Sequence, residues 1–168
     1  MTDTIVMYVT ATIIKSKEGE KMQIAQVSMI NIHSVVPLFD AYRQFYKQES
    51  DEQAAQLFLK ERVSNEESII FIAMIDGEPA GFVQLYPTFS SVSLQRAYIL
   101  NDLYVDEKFR QQGIGRKLIE KCYEYSEERS ARYITLETAT DNHTAQKLYE
   151  QMGMEQEEML HYSKYWKK

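Results

Sequence analysis

Leu100-Asn101-Asp102-Leu103-Tyr104-Val105, and then, beyond Asp106 to Phe109, Arg110-Gln111-Gln112-Gly113-Ile114-Gly115, is the stretch that decides the fold. The first part completes a strand predicted over residues 96–105. The second is a polar turn opening an amphipathic helix from about Gly113 to Arg129, with Ile114, Leu118, Ile119, Cys122 and Tyr125 on one side. Two glycines in such a turn remove Cβ atoms where a large anion must approach the main chain. The N–H groups of the first helical turn and the positive end of the helix dipole then suit a pyrophosphate. Arg110 and Arg116 add charge at the two rims. No Gly-Lys-Ser/Thr follows, so the turn is not a P-loop, and it lacks the third glycine of the dinucleotide fingerprint.

Upstream, Met22 to Ser28 alternates apolar residues and suits a strand. Asn31 is placed to cap a helix carrying Val35, Leu38, Phe39, Tyr42, Phe45 and Tyr46 at helical spacing. Ser50 or Asp51 can cap a second helix ending near Asn65. The continuous apolar run Ser68 to Ile75 reads as a buried central strand. Asp76-Gly77 is a hairpin signal, with Pro79 to Tyr86 as the partner strand. Pro87 and the serine-rich residues to Ser93 read as a loop.

Downstream, a strand is predicted at Tyr133 to Glu137. A helix follows from about Asn142 to Met152, with Gly153 at C′, and a terminal strand spans Leu160 to Trp166. The order β-α-α-β-β-β-α-β-α-β contains no repeat. It gives one α+β domain with a mixed, mostly antiparallel sheet and helices on both faces.

Composition narrows the function. The 168 residues carry 19 basic and 25 acidic side chains, a net charge of −6. That balance is poor for a nucleic-acid binder, which must neutralise phosphates. No apolar run approaches the roughly 18 residues of a membrane span. A single cysteine, Cys122, excludes a disulfide framework, and His33, His143 and His161 show no metal spacing. Cys122, on an apolar helix side without a basic neighbour, reads as an inert buried thiol.

The apolar segment Met1 to Ile14 lacks a basic n-region, so no secretory signal is read and a cytoplasmic location is expected. Glu18-Gly19-Glu20-Lys21 can be encoded with GGAG at ribosome-binding distance before Met22. Two readings follow: residues 1–21 lie upstream of a natural start at Met22, with residues 22–168 as the domain, or they form a peripheral strand.

At the strand, the glycine turn and the downstream Asn142-x-x-Ala145-x-x-Leu148-Tyr149, the chain resembles the GNAT superfamily of acetyl-coenzyme A-dependent N-acetyltransferases. The resemblance covers most of residues 22–166 in element order and is specific over about 100–153. It implies that acetyl-CoA lies where two strands splay, with the main chain of Leu103, Tyr104 and Val105 pairing with the pantetheine arm. It assigns the pyrophosphate to Arg110, Gln111, Gln112, Gly113, Ile114 and Gly115, with Arg116 just beyond. Asn142 falls near the pantetheine, and the Tyr149 hydroxyl near the thioester sulfur, as general acid. Tyr42, Phe45 and Tyr46 correspond to the acceptor wall, with Asn101 and Asp102 also against the acceptor. Diamine acetyltransferases often carry Leu-Glu-Asp at this strand; here Asn101 stands where that carboxylate would be. A homodimer is implied too, with Tyr162, Tyr165 and Trp166 of the terminal strand contributing.

The expected reaction is acetyl transfer to a primary amine by direct attack, without a metal. Such an amine, with pKa near 10.4, is almost wholly charged at pH 7 and must lose a proton before it attacks. Asp102 is the first candidate base and Glu137, at the end of the next parallel strand, the second. From Lys47 to Glu67 six acidic residues face three basic ones, a balance that favours a cationic acceptor. The alternative is a non-catalytic acyl-CoA sensor or partner-binding module on the same fold.

Overall fold

The computed structural model describes residues 12–15 and 21–166, in two units, Met1–Glu137 and Thr138–Lys168. Much of the segment concerned by the start at Met22 lies outside the described residues. The first unit is a six-stranded sheet in sequence order, β1 (Thr12–Lys15), β2 (Lys21–Gln26), β3 (Ile69–Ile75), β4 (Glu78–Ser90), β5 (Gln95–Val105) and β6 (Ile134–Thr135). All neighbours are antiparallel except β5 and β6, which are parallel.

Strand β3 is apolar throughout because both of its faces are covered. Ile70 and Ile72 join a core with Val35, Leu38 and Phe39 of the α1 region (α1, Val36–Phe45) and Ala55 and Leu59 of α2 (Glu52–Ser64). Phe71, one residue out of phase, meets the Tyr125 ring of α3 (Ile114–Glu127) at 5.5 Å. Helices therefore cover both faces, as the sequence implies. Burying one such aromatic ring contributes about 2–3 kcal/mol.

Local signals explain most boundaries. Asp51 caps α2, its carboxylate accepting from Ala54 N–H at 2.9 Å. Asp76 and Gly77 both have positive φ (48° and 88°), as a two-residue hairpin turn between β3 and β4 requires. Gly81 in β4 is a packing glycine, since a Cβ there would lie 2.7 Å from the Tyr104 carbonyl oxygen.

Four expectations need correction. Asn31 does not cap the helix; its side-chain oxygen turns back to accept from Ser28 N–H at 2.7 Å, and α1 begins at Val36 after a short 3₁₀ turn. Pro87 and the following serines are not a loop but the end of β4, paired with β5 through Ser90↔Gln95. The β3–β4 register ends at Leu85, so Pro87 sits where β4 already has an edge, and an edge tolerates a missing N–H. Strand β6 is only two residues long. Residues 154–166 form neither helix nor strand, and Leu160, Tyr162, Tyr165 and Trp166 are exposed. An alternating segment becomes a strand only when a neighbour completes its ladder.

The second unit contains α4 (His143–Gln151), capped by Asn142, whose side chain accepts from Ala145 N–H at 3.3 Å. Gly153, with φ 82°, follows the C-cap residue Met152 as expected. No helix among the described residues is long and apolar enough to cross a membrane.

Candidate active site

The site begins with a register fault. Gln84 pairs with Asp102, but Leu85 pairs with Leu100, so Asn101 is an extra residue in β5. Such a bulge re-aims the side chains beyond it. Before it, Tyr98 packs on Tyr125 of α3 at 5.7 Å; after it, Tyr104 packs on Tyr42 of α1 at 6.4 Å. Tyr98, Asp102 and Tyr104 would share one face of a regular strand; the extra residue sends Asp102 and Tyr104 to the α1 side instead.

The partner of β5 on its other edge is equally brief. Strand β6 pairs only at Tyr98↔Ile134 and Ile99↔Thr135, so Leu103, Tyr104 and Val105 run past its end. Main-chain groups on that edge can pair with an amide-bearing ligand, as strand addition does. The edge runs into the glycine turn. Gln111 and Gly113 have positive φ (63° and 79°), and Gly113 stands as N-cap without any side chain to satisfy the first N–H groups of α3. A Cβ at Gly113 would meet nothing within 4 Å, so its glycine serves the backbone conformation. Gln111, Gln112 and Gly113 are exposed, Ile114 anchors the helix in the core, and Gly115 and Arg116 are partly buried. Arg110 is held by two hydrogen bonds, Nε to the Val105 carbonyl at 3.1 Å and Nη1 to Glu107 at 3.2 Å, and lies over the Tyr104 ring at 6.0 Å, which together fix its guanidinium at the rim. The fit to a diphosphate with an amide-rich arm rests on these features of the chain itself.

Asp102 is only 4% exposed. Asn101 Nδ2 donates to its Oδ1 at 3.0 Å, while Oδ2 has no hydrogen-bond partner among the described residues. Burial pushes this carboxyl above the ordinary carboxylate range, and the Tyr42 hydroxyl and Asn101 amide oppose that shift without cancelling it. The same charge acts on its neighbours. Burial first, then Asp102, raises the Tyr42 phenol, and likewise pushes Tyr86 up to about 12.

Phe45 and Tyr46 lie exposed at the end of α1, with Tyr46 edge-on to Tyr42 at 5.1 Å. Glu137 is exposed, two residues past β6. The first unit thus gathers Tyr42, Asn101, Asp102 and the 103–116 segment. Asn142 and the partly buried Tyr149 belong to the second unit. Cys122 is fully buried and its thiol is pushed well up by burial, as an inert thiol should be.

The sequence reading missed Gln84 and Tyr86. Gln84 is fully buried, its Nε2 donates to the Tyr86 hydroxyl at 2.6 Å, and its Oε1 has no partner among the described residues. Tyr86 lines a cleft of about 320 Å³ with Phe58, Arg62 and Glu67. A glutamine inside the apolar run Ala80-Gly81-Phe82-Val83-Gln84-Leu85 was the available signal.

The first unit thus sets an open strand edge, leading to a helix N-terminus, beside a buried carboxyl. Residues 34–154 match the model of the acetyltransferase (GNAT) family, and the chain belongs to that family. It is 46% identical over 142 residues, 84% of this chain and 95% of the relative, to the uncharacterized N-acetyltransferase YhfO of Bacillus subtilis (strain 168). A crystal structure of a probable acetyltransferase superposes with a TM-score of 0.81 at 37% identity, covering 86% of this chain and 98% of the other. The aminoglycoside N-acetyltransferase AAC(6')-Iy in complex with CoA shares the fold at 21% identity, with a TM-score of 0.74 over 89% and 97% of the two chains.

Proposed function

We propose that the chain transfers the acetyl group of acetyl-CoA to a primary amine by direct attack. The observation that carries this reading is the bulge at Asn101, which turns a buried carboxylate, Asp102, toward the α1 side of the strand whose opposite edge is open. Acetyl-CoA supplies the activated thioester. The main chain of Leu103 to Val105 holds its arm, and the amides around Gly113 hold its diphosphate, with Arg110 and Arg116 at the rims. Tyr42, Phe45, Tyr46 and Asn101 bind the acceptor. Asp102 takes up the proton that the ammonium must lose, favoured by a raised carboxyl pKa that brings donor and acceptor of the proton closer. Glu137 is the second candidate for that task. Asn142 contacts the pantetheine, and Tyr149 protonates the departing thiolate.

A D-amino-acid N-acetyltransferase is among the sequence relatives and an aminoglycoside N-acetyltransferase among the structures that share the fold, so the amine class is left to experiment. Thiol release from acetyl-CoA, followed with spermidine, lysine derivatives, aminoglycosides and peptides, tests the reading. It expects amine-dependent turnover; cofactor binding with no turnover on any amine contradicts it. A homodimer belongs to the same reading, and a monomeric mass by light scattering counts against it.

A further inference from the structure

Asp102 Oδ2 is buried, so an acceptor amine does not reach it directly in this conformation. Tyr42 projects from α1 onto the strand face beyond the bulge, edge-on to Phe82 at 5.9 Å and to Tyr104 at 6.4 Å. Phe82 and Tyr104 are themselves a cross-strand pair, two residues along from the pair Gln84 and Asp102. Tyr42 therefore sits over the rung next to the carboxylate, and on its other side lies the Tyr46 ring at 5.1 Å, more than half exposed. Tyr42 thus lies between the exposed Tyr46 and the strand face that carries the buried carboxyl.

We propose that Tyr42 is the group that meets the amine, and that it passes the proton inward to Asp102. This rests on the transferase reading and deepens it. In the step, an ammonium N–H bond breaks as its proton goes to Tyr42 Oη. The phenol's own O–H bond breaks at the same time, and that proton goes to Asp102 Oδ2. Nitrogen keeps the electron pair, and the products are a neutral amine, an intact phenol and a neutral carboxylic acid. The reverse path, ending at Tyr46, returns the proton to solvent between turnovers. Tyrosine suits such a relay because its hydroxyl both accepts and donates.

The charge environment agrees. The Tyr42 hydroxyl is raised by burial and then by Asp102, with Tyr46 adding to it. Toward Asp102, α1 presents Tyr42, β4 presents Tyr86 and β5 presents Asn101; Arg62 of α2 acts on Tyr86. Among the groups acting on Asp102 none is a cation; the Tyr42 hydroxyl and the Asn101 amide favour its charged form, and burial outweighs them.

The test has two arms on the full-length protein. In the first, carboxyl ¹³C NMR follows the Asp102 titration, assigned by its loss in Asp102→Asn. Replacing Tyr42 by Phe removes a donor to the charged form, so the titration is expected to move to higher pH; an unmoved titration overturns the contact. In the second, thiol release is measured with the best amine of the panel. Tyr42→Phe is expected to lower kcat/KM for the amine roughly 100-fold, with acetyl-CoA binding by calorimetry unchanged. The double variant Tyr42→Phe, Asp102→Asn is expected to be no slower than Asp102→Asn alone, because two members of one relay fail together. Losses that multiply, or turnover that Tyr42→Phe leaves intact, overturn the relay while sparing the transferase reading. A wild-type protein that binds acetyl-CoA and acetylates nothing overturns both.

Discussion

Asp40 and Asp102 are 3% and 4% exposed, so solvent access does not distinguish them, although Asp102 lies much deeper in the protein. Asp40, in α1, is saturated: Arg43, Gln44, the Ser50 hydroxyl and the Asp51 N–H all donate to its two oxygens, at 3.1, 2.9, 2.7 and 2.8 Å. Burial raises its pKa, but these donors outweigh burial and leave it below the usual carboxylate value. Asp102 receives one such bond and keeps an unpartnered oxygen, and its pKa goes up. The first closes the junction between α1 and α2. The second is a buried charge left unsatisfied, a cost that a fold carries where function uses it. Surroundings as well as depth separate the two, and on the proposed function the unsatisfied one is the proton acceptor.

The largest test of this contrast is Asp102→Asn, which removes the proton acceptor with little change in shape. It is expected to lower kcat/KM for a protonated amine by about 100- to 1,000-fold, read by thiol release, while a retained rate would erase the distinction. Asp40→Ala is its counterpart. It strands the Asp51 N–H and loosens the entry to α2, so a loss of about 3 kcal/mol is expected in urea unfolding, with near-normal activity in the molecules that remain folded. Tyr149→Phe should lower kcat by about one to two orders of magnitude, leaving acetyl-CoA affinity nearly intact; an unchanged kcat removes Tyr149 from the mechanism.

The smallest effect concerns stability and has opposite signs at the two sites. The folded pKa of Asp102 is raised, so its charge destabilises the fold above that pKa and ceases to do so as pH falls toward the unfolded value. Asp102→Asn is therefore expected to raise Tm near neutral pH, by the equivalent of about 1 kcal/mol, and to lose that advantage in acid. The depressed pKa of Asp40 contributes stability that is complete above the unfolded carboxylate value and lost as pH falls through the folded one. Calorimetric scans from neutral to acid pH on both variants and the wild type check the two signs.

Much of this was legible because it is local. The uniform apolar run of β3, the Asp76-Gly77 turn, a cap for α2 at Ser50 or Asp51 and the glycine turn before α3 each follow from residue type and spacing alone. What escaped depends on partners. Pro87 reads as a strand breaker until one knows that β3 has already ended beside it. Leu160 to Trp166 alternates like a strand, yet alternation does not supply a neighbour. The bulge at Asn101 is invisible in sequence, since it is a mismatch between two strands, and with it went the face on which Asp102 lies. Gln84 was overlooked because a polar residue in an apolar run is read as an interruption before it is read as a site.

The account turns on the thioester donor lying along β5 with its diphosphate at the Gly113 turn. Titration calorimetry of acetyl-CoA into the wild type and into Gly113→Val measures this directly. A β-branched residue at φ 79° is strained even though the space around it is open. The expected result is saturable one-to-one binding by the wild type, weakened roughly ten-fold or more in the variant. No heat from the wild type, or equal affinity in the two proteins, contradicts it.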